Sequence, residues 1–189
     1  MRRRSPPSIP ERRPVFIGCE GESEVAYAGL LQAMLREASL HVHLVVHNLG
    51  RGAGDPLARV QLAVQRLAQL RRTRIAPPER FILLDGDQAA RDSARAACAR
   101  HLAAQHKITI VWQEPCFEAL LVRHLPNCTT RRPPDTPEAL RVLEREWSGY
   151  KKPLSRATLA MRIDRDAVRR AAGVERELRA LLRCLGLEE

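Results

Sequence analysis

Four short apolar runs punctuate the chain, and each is followed by a stretch with helical spacing. The first, Val15-Phe16-Ile17, ends in Gly18 and suits a buried strand. The others are His41 to His47, Arg80 to Leu84 and Ile108 to Trp112. After the first run, Val25, Ala28, Leu31, Leu35 and Ala38 fall on one helical face, with Ser23 as the expected N-cap. After the second, Asp55 or Pro56 opens a helix carrying Leu57, Val60, Val64, Leu67 and Leu70, and Pro77-Pro78 breaks the chain. After the third, residues 88–105 are Ala-rich and helical, and after the fourth Pro115 opens a helix from Cys116 to about Leu125. Strand and helix therefore alternate, with crossovers long enough for parallel pairing. The expected fold class is α/β: a parallel four-stranded sheet with helices on both faces.

The ends of the chain read differently. Residues 126–137 contain four Pro and several polar residues, which predicts a loop. Helices are expected over about 136–147, 154–171 and 174–185, the last with Val174, Leu178, Leu181, Leu182 and Leu185 on one face and Gly186 as its stop. Residues 1–13 are rich in Arg and Pro and read as a flexible basic tail. The expected organisation is a tail over 1–13, an α/β domain over 14–125, and a loop with a C-terminal helical extension over 126–189.

Charge narrows the partners. The 189 residues carry a formal net charge of +10, which suits a polyanion such as nucleic acid. The excess is uneven. Residues 1–13 hold five Arg against one Glu, and residues 131–189 hold fourteen basic against ten acidic groups. Between them, thirteen basic residues face eleven acidic ones. An Arg-rich genome explains part of the excess equally well. Aromatic residues are only 4%, too few for broad base-stacking platforms. The five Cys (19, 98, 116, 128 and 184) form no CxxC pair, so a disulfide framework or zinc site is not expected and a reducing cytoplasm is. The N-terminus lacks the apolar core of a signal peptide, and no apolar run approaches the roughly 20 residues that span a bilayer, so no membrane partner is expected.

Ligands of a parallel sheet bind beyond the carboxyl ends of its strands. After the first strand stand Glu20, Glu22 and Glu24; after the third, Asp85-Gly86-Asp87; after the fourth, Glu114. Close carboxylates repel one another unless a cation or protons neutralise them. Oxygen donors of this kind suit Mg²⁺ or Mn²⁺ rather than zinc, and Glu20, Asp85, Asp87 and Glu114 are the expected metal residues. Beside basic flanks, such a metal implies phosphoryl-transfer chemistry. Each carboxylate also has an ordinary reading, because Asp and Glu favour helix N-termini without any ligand.

Other residues carry weaker signals. Arg131, Arg132, Lys151 and Lys152 are candidates for phosphate contacts, or simply solvated loop residues. His41, His43 and His47 share one face of a strand that helices are expected to cover. Phe117 and His124, seven apart, share a helix face, as a packed ring and a hydrogen-bonded core His would. Gly50-Arg51-Gly52-Ala53-Gly54 could present backbone N–H groups to a phosphate or act as a connector, but it lacks the Gly-Lys-Ser/Thr of an ATP-binding P-loop.

The combination resembles a known pattern. A Glu in a Glu-Gly turn after strand one, with Asp-x-Asp after strand three, is similar to the TOPRIM signature. Cys19-Glu20-Gly21-Glu22-Ser23-Glu24 with Tyr27, then Asp85 and Asp87, then Pro115-Cys116-Phe117-Glu118 and His124, resembles the RloB-like family, and Tyr150-Lys151-Lys152 matches its Tyr-x-Lys. Two positions depart from the pattern: Leu120 replaces an aromatic, and Glu114 replaces an Asn. The resemblance implies a TOPRIM/Rossmann-like fold and a metal-dependent, nuclease-like protein of prokaryotic anti-phage defence encoded beside an ATPase. It implies metal binding by Glu20, Asp85 and Asp87, a second acidic group in Glu24, site or neighbouring roles for Glu118 and His124, and phosphate contact by Lys152.

The favoured expectation is thus a Mg²⁺- or Mn²⁺-dependent phosphodiesterase acting on nucleic acid, DNA ahead of RNA, with an AAA- or ABC-type ATPase partner and homo-oligomerisation left open. The alternatives are a non-catalytic adaptor in an ATPase-containing complex, and a metal-assisted phosphotransferase acting on nucleotides. A topoisomerase would need strand-passage and tyrosine-bearing domains for which 189 residues leave no room.

Overall fold

The computed structural model describes residues 12–50 and 55–188. The predicted tail as far as Glu11, and residues 51–54 of the Gly-rich loop, lie outside the described residues. In chain order the elements are β1 (Arg13–Cys19), α1 (Glu22–Glu37), β2 (Val42–Asn48), α2 (Pro56–Arg72), β3 (Glu79–Asp85), α3 (Asp87–Arg91), α4 (Ser93–Gln105), β4 (Thr109–Gln113), α5 (Phe117–His124), α6 (Thr136–Glu146), α7 (Arg156–Ala160), α8 (Arg165–Ala172) and α9 (Arg176–Leu185). The strands form one parallel sheet in the order β2-β1-β3-β4.

Alternate strand residues feed two apolar layers, as the period of two requires. Val15, Ile17, Phe81, Leu83 and Val111 pack with α1, α5 and the C-terminal helices. Phe16, Ile82, Leu84 and Ile110 pack with α2 and α4. Both faces of β1 and β3 are thus covered, which explains their unbroken apolar runs. The C-terminal helices share one core with the sheet: Leu178, Leu181, Leu182 and Leu185 belong to the same layer as Val15 and Tyr27. At the end of α9, Gly186 takes φ +77, and the Leu187 N–H returns to the Leu182 carbonyl at 2.9 Å, closing the helix as its position predicts.

Several boundaries differ from the sequence reading, for identifiable reasons. Arg13, read as part of the tail, is the first residue of β1, with its guanidinium 2.8 Å from Glu79. Gly21 rather than Ser23 caps α1. The helix expected over 88–105 is broken at Asp92, whose side chain accepts the Arg95 N–H at 2.9 Å and starts α4 afresh. The helix expected over 154–171 is likewise two, because Asp164 accepts the Ala167 N–H at 2.7 Å and opens α8. The face of β2 carrying His41 and His43 is not covered: β2 is a sheet edge and both are exposed, while His47 stacks on Phe16 at 5.5 Å. Among the described residues, no helix is long and apolar enough to cross a membrane.

Candidate active site at the β1–β3 crevice

From β1 the chain moves outward to β2, then returns across β1 to reach β3. Connections therefore diverge between β1 and β3, and a crevice opens beyond their carboxyl ends. Glu20 follows the last residue of β1, and Asp85 is the last residue of β3. The Asp85 N–H donates to Glu20 Oε2 at 3.1 Å, locking the two strand ends together. Asp85 Oδ1 accepts the Phe117 N–H at 2.7 Å, at the start of α5, where the helix dipole favours a negative group. Glu24 lies in the first turn of α1 and is only 6% exposed. With Asn48, Phe117 and Lys152, these three carboxylates line a cavity of about 420 Å³.

The electrostatics follow from burial and crowding. Burial pushes the Asp85 carboxyl up to about 8, repulsion from Glu24, Glu20 and Glu118 adds to it, and the Phe117 N–H acts against it. Burial likewise pushes Glu24 up to about 7, with Glu20 and Glu118 adding and Lys152 opposing. Glu118, also buried, goes the other way: burial raises it, but its ion pair with Lys152 prevails and the net shift is downward. The same carboxylate accepts the Tyr150 O–H at 3.1 Å.

The structure brings together Glu20, Glu24, Asp85 and Lys152 around this cavity, with Glu118 behind Lys152. It does not bring Asp87 or Glu114 there. Both line a second cleft of about 360 Å³ with Pro134 and Asp135. The divide is Gly86, over which the Glu114 carboxylate folds closely enough that a Cβ there would push that side chain aside. The Gly86 and Asp87 N–H groups donate to the Gln113 and Pro115 carbonyls, turning the chain away from the crevice.

His124 is fully buried. Its Nδ1 is 2.8 Å from the Leu120 carbonyl and its Nε2 is 2.9 Å from the Tyr27 hydroxyl. Burial pushes its pKa down to about 4, so the ring is neutral, donates from Nδ1 and accepts the Tyr27 O–H at Nε2. Tyr27 also meets Phe117 edge-on at 5.8 Å, so His124 and Phe117 do share one face, as core residues beneath the cavity. Arg131 pairs with Glu146 at 3.0 Å and Arg132 with Glu175 at 3.2 Å, and neither lines the cavity. Lys151 lines another hollow, with Leu140, Glu144, Tyr150 and Lys152, and not the cavity of the carboxylates.

Arg59 was not singled out from the sequence. It is buried on α2, its Nη1 donates to the Leu49 carbonyl at 2.9 Å, and its Nε is 3.9 Å from Glu20 Oε1. The signal was present: an Arg at position 59 stands on the face that Val60, Ala63 and Leu67 bury.

The donor set fits a hard divalent cation. The cavity offers oxygen ligands only, and burial, with repulsion between neighbouring acids, pushes two of its carboxyls up to near or above neutral pH. Among the described residues, no three His, Cys, Asp or Glu side chains are gathered as a finished metal cage. Mg²⁺ needs none, since it commonly binds one or two carboxylates and keeps several waters.

The profile of RloB-like proteins matches residues 15–180, from the first core strand to the last helix. The chain belongs to the RloB-like family. No curated protein and no solved structure matches it. In this RloB-like chain the matched span includes the crevice carboxylates and also Glu118, Tyr150 and Lys152, so the family pattern runs through the C-terminal helices.

Proposed function

We propose that the chain is a Mg²⁺- or Mn²⁺-dependent phosphodiesterase of TOPRIM type acting on nucleic acid. The observation that carries this reading is the trio of Glu20, Glu24 and Asp85 at the β1–β3 switch point, with two of them buried and repelled into their protonated forms near pH 7. Glu20 and Asp85 would hold the cation. A bound divalent ion supplies Lewis-acid stabilisation of charge developing on phosphoryl oxygens. Lys152 presents an ammonium at the rim and binds a phosphate oxygen. Phe117 walls one side of the cavity. Glu24, titrating near 7, exchanges a proton at its carboxylate oxygens. The basic surplus of the chain draws in the backbone. The family relationship supports a role in prokaryotic anti-phage defence with an ATPase partner.

The test is cleavage of DNA and of RNA by the purified chain with Mg²⁺, Mn²⁺ or chelator, in wild type and Asp85→Asn. Metal-dependent cleavage lost in the variant is the expected result. Equal cleavage by both proteins, or cleavage indifferent to chelator, overturns the proposal.

A further inference from the structure

Lys152 presents a physical problem. Its side chain is 56% exposed, on the segment joining α6 to α7. A lysine in that setting has high rotamer freedom and wanders unless something holds it. Here the holder is Glu118, whose side chain is 2% exposed and which sits on α5, a helix with every residue buried. Glu118 is held in turn by the Tyr150 hydroxyl, and the Tyr150 ring meets Trp147 edge-on at 6.1 Å. A buried carboxylate that lost its cation would be an uncompensated charge, so the attachment is mutual.

We propose that Glu118 and Tyr150 are positioning residues for Lys152, and that through them the α6–α7 segment supplies a fixed ammonium to the strand-end cavity. The chain of contacts runs from Trp147 to Tyr150, from Tyr150 to Glu118 and from Glu118 to Lys152. Its last member stands at the cavity that Glu20, Glu24 and Asp85 line. A cation fixed among carboxylates suits a ligand that carries a phosphate oxygen to Lys152 while a metal occupies the acids. The identity of that anion rests on the phosphodiesterase reading; the positioning of Lys152 does not.

The composition makes a direct test feasible, because the chain has only three lysines: Lys107, Lys151 and Lys152. Protein labelled with ¹⁵N at lysine Nζ is observed by NMR in the cold, without metal. An ammonium held in an ion pair exchanges slowly and gives a resolved signal, whereas free ones exchange away. Wild type is expected to show one protected signal, assigned by its disappearance in Lys152→Arg. Glu118→Gln should abolish it, and Tyr150→Phe, a change that keeps the buried ring, should broaden it. A protected Lys152 signal that survives Glu118→Gln, or that is unaltered by Tyr150→Phe, overturns the proposal, as does wild type with no such signal. Inorganic pyrophosphate is then added to wild type and is expected to shift the Lys152 signal. If pyrophosphate leaves that signal in place while the Glu118 dependence holds, the positioning is upheld and the phosphodiesterase reading is the one that loses support.

Discussion

Asp85 and Asp87 belong to the same three-residue run, yet the fold sends them to different places. Asp85 closes β3, accepts the first N–H of α5 and looks into a cavity lined also by Glu20, Glu22 and Glu24. Asp87 opens the five-residue α3 and lines a cleft of loop residues with Glu114 and Asp135. The chain reverses between them at Gly86, beneath the Glu114 side chain. The comparison teaches that Asp-x-Asp is not one chemical unit here. Burial and repulsion from neighbouring acids make the ionised form of Asp85 costly, and that cost is what a cation would relieve.

The largest expected effect tests this contrast directly. Asp85→Asn should lower metal-dependent cleavage by at least about 100-fold, and Asp87→Asn by less than about 10-fold, measured as kcat/KM. Equal losses would show that the two serve one ion and would dissolve the distinction. The amide at position 85 can still accept the Phe117 N–H but carries no charge, so the same variant should be more stable than wild type at pH 8, by chemical denaturation. A less stable variant would break the claim that the ionised form is costly.

His124 supplies the next effect, of the opposite kind. His124→Ala removes a buried ring and orphans the Tyr27 hydroxyl, which should cost about 2–4 kcal/mol of unfolding free energy. Tyr27→Phe should cost about 1 kcal/mol. In each, the folded fraction should retain most of its cleavage rate. Loss of rate with unchanged stability would move His124 from the core into the chemistry.

The pH dependence sharpens the comparison further. Asp85 and Glu24 bind their protons more tightly in the folded chain than in the unfolded one. From about pH 4, where ordinary carboxyls ionise, to about pH 8, the unfolded chain has lost protons that the folded chain keeps. Stability therefore falls as pH rises, by up to about 1.4 kcal/mol per pH unit for each carboxyl. Below that window the two acids contribute nothing; above it their full cost is present. Denaturation curves across the window, without metal, should show this slope, and Asp85→Asn or Glu24→Gln should each flatten it. The smallest effect is expected far from the crevice. Arg131→Ala breaks a half-exposed pair with Glu146 and should change stability by less than about 1 kcal/mol, by the same measurement.

The alternation of strand and helix, the parallel sheet and the crevice carboxylates Glu20, Glu24 and Asp85 were legible in the sequence. So was the Gly186 stop, because a left-handed cap has a strong residue preference. The breaks at Asp92 and Asp164 were less legible, since Asp is tolerated inside a helix and becomes a cap only when the chain bends there. Arg59 escaped notice as a site residue because it does not lie near a strand end in the sequence, and Tyr150 was seen only as part of the Tyr-x-Lys match, not as a partner of Glu118.

What the sequence by itself determined, then, is local and periodic: which runs are strands, which faces are apolar and which residue follows each strand. Those properties depend on spacing along the chain. Only the tertiary structure decided which acids share a cavity, that His124 is a neutral partner of Tyr27, and that a lysine 67 residues after Asp85 stands at the same crevice. Burial, charge repulsion and hydrogen bonding between distant segments act through space, and they exist only once β1, β3, α5 and the α6–α7 segment have come together.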